Sequence, residues 1–157
     1  MERHAGDLGN IIANENGMAD VDILIQSGTS LFGDEDISIF GRSIVIHQKE
    51  DDGSVPKHGN AGRIMACGIV EKKTNTIIPM DTAKEAFITI LPHLNKNTIV
   101  GNLKIRQNTP TSPLVIKGSI EGLMPGKHGI HIHELKIEGN NCRSSGGHFN
   151  PTNVKKT

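Results

Sequence analysis

Residues 126–151 read GKHGIHIHELKIEGNNCRSSGGHFNP, and the first eight of them decide the character of the chain. His131 and His133 flank Ile132, with Ile130 just before them. In an extended strand alternate side chains share a face, so both imidazoles point one way while Ile130 and Ile132 point the other. Such a strand covers an apolar core with one face and offers a chelating pair on the other.

Outward from that stretch the same period of two recurs in short pieces. Candidate strands are Leu8–Ala13, Met18–Ile25, Ser43–His47, Met65–Val70, Ala86–Leu91, Ile99–Ile105, Leu114–Glu121 and Gly129–Glu134. Val21/Ile23/Ile25, Ile44/Ile46, Phe87/Thr89/Leu91 and Leu114/Ile116 all alternate. Asn16-Gly17 between the first two strands predicts a hairpin, and Pro125-Gly126 a second turn. No long segment carries the 3.6-residue helical period. Eight short strands with turns between them predict an all-β sandwich or barrel. Asp51–Gly62 (DDGSVPKHGNAG) reads as a surface loop and Glu71–Lys84 (EKKTNTIIPMDTAK) as a charged linker between two halves of similar size.

Composition narrows the function classes. At 157 residues the chain suits one domain, and its 35% hydrophobic content with 18 Gly is globular rather than disordered. Seventeen Lys+Arg balance seventeen Asp+Glu, so no global basic field favours nucleic acid or an anionic membrane. No apolar run approaches the ~18 residues of a membrane span. The start, Met-Glu-Arg-His-Ala-Gly-Asp, lacks the basic and apolar regions of a signal peptide, and the compartment, cytoplasmic or extracellular, stays open. With four Phe and neither Tyr nor Trp, the core has to be built from Ile, Val and Leu.

Histidine is where the chemistry concentrates. Beside the His131/His133 pair stand His148, before Phe-Asn-Pro, and His47, ending the Ile44-Val45-Ile46 run. An all-imidazole set suits copper or zinc better than calcium or magnesium. Cys67 and Cys142 read equally as two buried thiols or as one disulfide.

With these residues in place, the chain resembles the copper/zinc superoxide dismutase family, its segments in circularly permuted order. The resemblance rests on KGSIEGLMPGKHGIHIHE (Lys117–Glu134), CRSSGGHFNP (Cys142–Pro151), RHAGDLGN (Arg3–Asn10), GRSIVIHQKEDD (Gly41–Asp52) and GNAGRIMACG (Gly59–Gly68). In ordinary members the first two precede the other three. Residues 1–70 would then be the C-terminal half of a single dismutase-like domain spanning 1–157, 71–84 a linker and 85–157 the N-terminal half. The fold implied is an eight-stranded Greek-key β-barrel of dismutase type. A mid-domain to mid-domain segment of a tandem dismutase array explains the same order, and ragged ends inside a metal loop favour that explanation slightly.

The resemblance implies copper ligands at His47, His131, His133 and His148. It makes His148 also the bridge to zinc, with His4 and Asp7 as further zinc ligands, and gives His148 a proton-carrying role. Asp51 falls on the position that links copper and zinc ligands by hydrogen bonds. His128 falls on a loop-bracing histidine, and Cys67 with Cys142 on the family disulfide. His93 has no counterpart and reads as solvated. The implied reaction converts superoxide to oxygen and hydrogen peroxide, with copper as redox metal and zinc as structural metal. Implied partners are superoxide, a second copy in a homodimer that stays open, and neighbouring repeat domains or a copper chaperone.

Several positions depart from the family pattern. A zinc histidine is replaced by Lys156, which leaves zinc with His148, His4 and Asp7. The arginine beside copper is replaced by Ile64, with Arg63 one position earlier, and a one-residue slip in a strand reverses the face. The loop between His47 and Asn60 is shorter than usual, and His58 in it offers replacement charge. Lys136 after Leu135 puts a charge where family dimers meet. The leading reading is a copper-dependent superoxide dismutase. The alternatives are a copper-binding or structural dismutase-like domain with little turnover and, more weakly, a copper-delivery domain.

Overall fold

The alternating segments are strands. The computed structural model describes residues 3–26, 28–54, 60–73 and 83–153. Among these described residues there are nine strands in chain order: β1 (Asp7–Ala13), β2 (Ala19–Ile25), β3 (Ser43–His47), β4 (Ile64–Ile69), β5 (Glu71–Lys72), β6 (Lys84–Pro92), β7 (Val100–Gln107), β8 (Leu114–Glu121) and β9 (Gly126–His133). All ladders are antiparallel. They run β1-β9-β3-β4-β6-β7-β8-β2, with β5 on the side of β6. The two ends of this series, β1 and β2, pack against each other without a ladder, which leaves a nearly closed antiparallel barrel. Among the described residues no helix is long and apolar enough to cross a membrane.

The core is the inward row of each strand. Ile44 and Ile46 of β3 lie opposite Ile132 and Ile130 of β9. These four, with Ile88, Ile90, Ile105, Ile116 and Ile120, are fully or almost fully buried. Each such side chain contributes about 1.5–3 kcal/mol relative to exposure. A smaller apolar cluster sits on the outer face of the barrel, where Val45, Cys67, Ile137 and Cys142 meet. It docks the loop after β9. Ser43 Oγ donates to Leu135 O (2.8 Å) and accepts from Ile137 N–H (3.0 Å), and a Cys67–Cys142 disulfide closes the contact. The disulfide is the second of the two readings left open for the cysteines.

Two local expectations are corrected. The Asn16-Gly17 turn forms, but β1 and β2 do not pair as a hairpin: β1 pairs with β9 and β2 with β8. Asn14 shapes the turn, its Oδ1 accepting from the amides of Asn16 and Met18. Gly17 has φ +77°, and a Cβ there would stand 2.5 Å from Leu123 O. That carbonyl belongs to the β8–β9 turn, so Gly17 serves as the corner where the chain changes sheets. The second correction concerns the Glu71–Lys84 segment, whose ends are strand rather than linker: Glu71 and Lys72 pair with Phe87 and Ala86, and β6 begins at Lys84. Two exposed residues at a sheet edge are too few to show a period. Just inside β6, Glu85 receives Lys104, Arg106 and Lys73 at 2.8–3.1 Å, and these partners, Lys104 foremost, hold its carboxyl down to about 2.

The disulfide spans 75 positions. A loop of that length is worth about 4–5 kcal/mol through the entropy of the unfolded chain. Urea unfolding of Cys67→Ser/Cys142→Ser should show a loss of that order against the oxidised protein, with circular dichroism still reporting the barrel. An unchanged midpoint would assign the loop's docking to the Val45–Ile137 contact alone.

Candidate metal centre

The pleat of β9 carries His131 and His133 to the outer face, and β3 adds His47 from the neighbouring strand. His148 arrives from the loop after the disulfide, where its backbone bridges that of His133. The four imidazoles form a cup: one ring nitrogen from each lies within 4.8 Å of the corresponding nitrogens of the others. Ring centroids are 4.1 Å apart for His131–His148, 4.8 Å for His47–His131 and 5.1 Å for His133–His148.

The nitrogen turned away from the cup is anchored in each case. His47 Nδ1 meets Gly62 O at 3.0 Å, and His133 Nδ1 meets Gly146 O at 2.8 Å and Ser145 Oγ at 2.9 Å. Carbonyl oxygens only accept, so these Nδ1 atoms carry the proton and the Nε2 lone pairs face the cup. His131 is turned the other way, its Nε2 meeting Asp51 Oδ2 at 2.6 Å. Asp51 is itself held by Asn10, which donates to its carbonyl and accepts from its amide. The inward atoms His131 Nδ1 and His133 Nε2 are buried and have no hydrogen-bond partner among the described residues. A buried nitrogen lone pair without a donor is costly. A soft or borderline cation would satisfy both, so the donor set fits copper or zinc.

The electrostatics agree with neutral ligands. Burial, then the neighbouring His148 and His47, push His131 down to about 3, and burial with His148 does the same to His133. Burial works against ionisation of Asp51, but the hydrogen bonds from His131 and Gly53 outweigh it and its pKa falls.

His4, Asp7 and His148 form a second cluster with ligand atoms within 4.8 Å. Asp7 Oδ1 lies 2.6 Å from His148 Nδ1, and Asp7 Oδ2 accepts from the His4 amide. His148 is therefore common to both clusters. Lys156, at the position of the replaced histidine, and His58 lie outside the described residues.

Beside the cup, a cavity of about 340 Å³ is walled by His4, His47, His133, His148 and Ile64, with Gly62, Gly146 and Gly147. Arg63 is not part of that wall. Its Nε lies 3.4 Å from Gln48 Oε1, and its side chain lines a groove on the other side of Ile64. His128 Nδ1 lies 2.9 Å from His47 O and its Nε2 2.7 Å from Met124 O. His93 is corrected: it is 9% exposed rather than solvated, and its Nδ1 accepts the Cys142 amide at 3.0 Å. Two positions that the sequence did not single out support the site. Ser145 holds His133, and Gly6 allows a close crossing where a Cβ would stand 2.4 Å from Ile132 O.

Comparison with known proteins points the same way. Residues 1–70 and 99–157 match the family described as copper/zinc superoxide dismutase (SODC). A stretch of 51 residues is 49% identical to superoxide dismutase (Cu-Zn) 5 of Dictyostelium discoideum. That stretch is 32% of this chain and 34% of the relative, so it spans about a third of the relative's length.

The two depressed imidazoles make stability pH-dependent once metal is stripped. Folded, they stay neutral down to about 3, whereas unfolded histidine takes up a proton below about 6.5. Between those values the unfolded state binds more protons, so stability falls as pH falls. Each imidazole costs about 1.4 kcal/mol per pH unit in that window. Urea unfolding of the metal-stripped protein at pH 7.5 and 5.5 should differ by about 2–3 kcal/mol. Equal midpoints would mean that His131 and His133 protonate within the fold.

Proposed function

The chain belongs to the copper/zinc superoxide dismutase family, and from that premise we propose that it holds copper and dismutates superoxide to oxygen and hydrogen peroxide. The observation that carries this reading is the four-imidazole cup, with His131 Nδ1 and His133 Nε2 buried and unsatisfied inside it. Copper, when bound, supplies the one-electron couple that oxidises one superoxide and reduces the next. His47, His131, His133 and His148 are the ligands proposed, and Asp51, Gly62 O and Gly146 O orient three of them. Reduction of superoxide to peroxide consumes protons. His148 is the proposed carrier, since Asp7 anchors its Nδ1 and leaves Nε2 as the atom directed at the cup. His4, Asp7 and His148 would hold zinc with three protein ligands. Structural zinc is normally four-coordinate, so weak binding is expected.

The segment order supports reading the chain as permuted relative to the family, as a single domain with residues 1–70 and 85–157 as exchanged halves around 71–84. Both halves contribute neighbouring strands to one barrel, as where Ala66 and Cys67 of β4 pair with Pro92 and Leu91 of β6.

A second reading, copper retention with little turnover, draws on Ile64. Superoxide is an anion, and a cation at the mouth raises its rate of arrival, a form of steering for which superoxide dismutase is a standard example. Here the wall carries an aliphatic side chain at that point.

His47→Ala or His133→Ala should abolish stoichiometric copper binding and dismutation while the barrel stays folded, because each removes one of four ligands from a preformed cup. Full copper occupancy in either variant would overturn the ligand assignment. For the mouth, Ile64→Arg should raise the rate and its sensitivity to ionic strength, whereas Arg63→Ala should change little. A fast, salt-sensitive rate that collapses on Arg63→Ala would restore Arg63 as the guiding cation.

A further inference from the structure

Behind Ile64, on the side away from the imidazole cup, lies a groove of about 390 Å³ that the copper reading does not use. Its walls are the His93–Asn97 turn, the Asn141–Arg143 turn and the start of β4. Three cationic side chains line it: Arg63, Lys96 and Arg143. Among the described residues no carboxylate forms an ion pair with any of them, and no carboxylate lines the groove.

The acceptors of the groove's polar side chains are in use and its donors only in part, Asn97 Nδ2 donating to Met65 O and Arg63 Nε to Gln48 Oε1. Asn97 Oδ1 accepts from Ile99 N–H, and Asn141 Oδ1 accepts from Arg143 N–H. His93 Nδ1 accepts from Cys142 N–H. A ring nitrogen that accepts is unprotonated, so in the neutral ring Nε2 carries the hydrogen. Burial first, then Arg143 and Lys96, lower the pKa of His93. His93 as a residue is 9% exposed, but its Nε2 is not one of the sealed atoms: it opens on the groove, where nothing among the described residues accepts from it. Asn141 Nδ2 is a second donor without a partner among the described residues.

The two turns are also fixed relative to each other. Leu94 N–H donates to Asn140 O at 3.0 Å, the Cys142 amide is held by His93, and the disulfide ties Cys142 to β4. The cations therefore project from a braced frame, and the His93 ring sits in its wall.

We propose that this groove is an oxyanion site that takes a phosphate group, with His93 Nε2–H as a donor in its wall and Arg143, Lys96 and Arg63 as the charge around it. A phosphate presents several acceptor oxygens and up to two charges, matching several cations and neutral donors better than a monovalent carboxylate does. The site is distinct from the cup, and its occupancy is independent of whether copper turns over.

The test is a titration of the oxidised, full chain with inorganic phosphate at constant ionic strength, read by NMR at the His93 side-chain nitrogens and the Cys142 amide. Saturable shifts at both positions are expected. Arg143→Gln/Lys96→Gln, both on exposed side chains, should weaken binding tenfold or more without altering the circular dichroism. Lys117→Gln, on β8, should leave it unchanged. Glycerol phosphate distinguishes the source: tighter binding than inorganic phosphate assigns the site to a phosphate monoester, and equal or weaker binding to the free ion. Non-saturating shifts, equal effects of acetate, or an affinity untouched by the double substitution would overturn the proposal.

Discussion

The pairing of β9 between β1 and β3 is the constraint on which everything else rests. It places Ile130 and Ile132 opposite Ile46 and Ile44 in the core and, by the same pleat, puts His131 and His133 outside. A slip of one residue would bury two imidazoles among isoleucines and expose two isoleucines, so the apolar row that stabilises the barrel also fixes the geometry of the cup. Ligand placement is thus a by-product of core packing. The loops are then attached to the same strand. Gly6 O accepts Ile132 N–H, and Ile132 O accepts Phe149 N–H, so the segments bearing Asp7 and His148 hang from the backbone of one core residue.

Much of this was legible in the sequence because period-two alternation is a local property. The strands and the shared face of His131 and His133 followed from spacing, and Asp51, whose carboxylate meets His131, was singled out by a matched segment. What escaped was non-local. The Asn16-Gly17 turn looks like a hairpin locally, yet β1 and β2 belong to different ladders, a choice made by β9 and β8. His93 looked solvated because it follows Leu91-Pro92 in a turn and has no counterpart in the matched segments. Its burial comes from Cys142, 49 positions away, whose amide needs an acceptor beside the disulfide.

The position of Ile64 shows how a single irregularity can reassign a site. From Cys67, which faces outward into the disulfide cluster, strict alternation would send Met65 and Arg63 outward as well and turn Ile64 toward the core. The register does not follow that rule. Ile46 pairs with Ala66, but His47 pairs with Ile64, so Met65 is an extra residue bulged out of the ladder. Bulges re-aim the side chains that follow them. Met65 accordingly packs toward the barrel core and Ile64 against the outer cluster, next to His47. The bulge therefore exchanges the faces of Arg63 and Ile64. The aliphatic residue becomes the wall of the imidazole cup, and the guanidinium is delivered to the groove that already holds Lys96 and Arg143. One backbone irregularity thus removes a cation from one site and adds it to another, and the two neighbouring pockets owe their opposite characters to it.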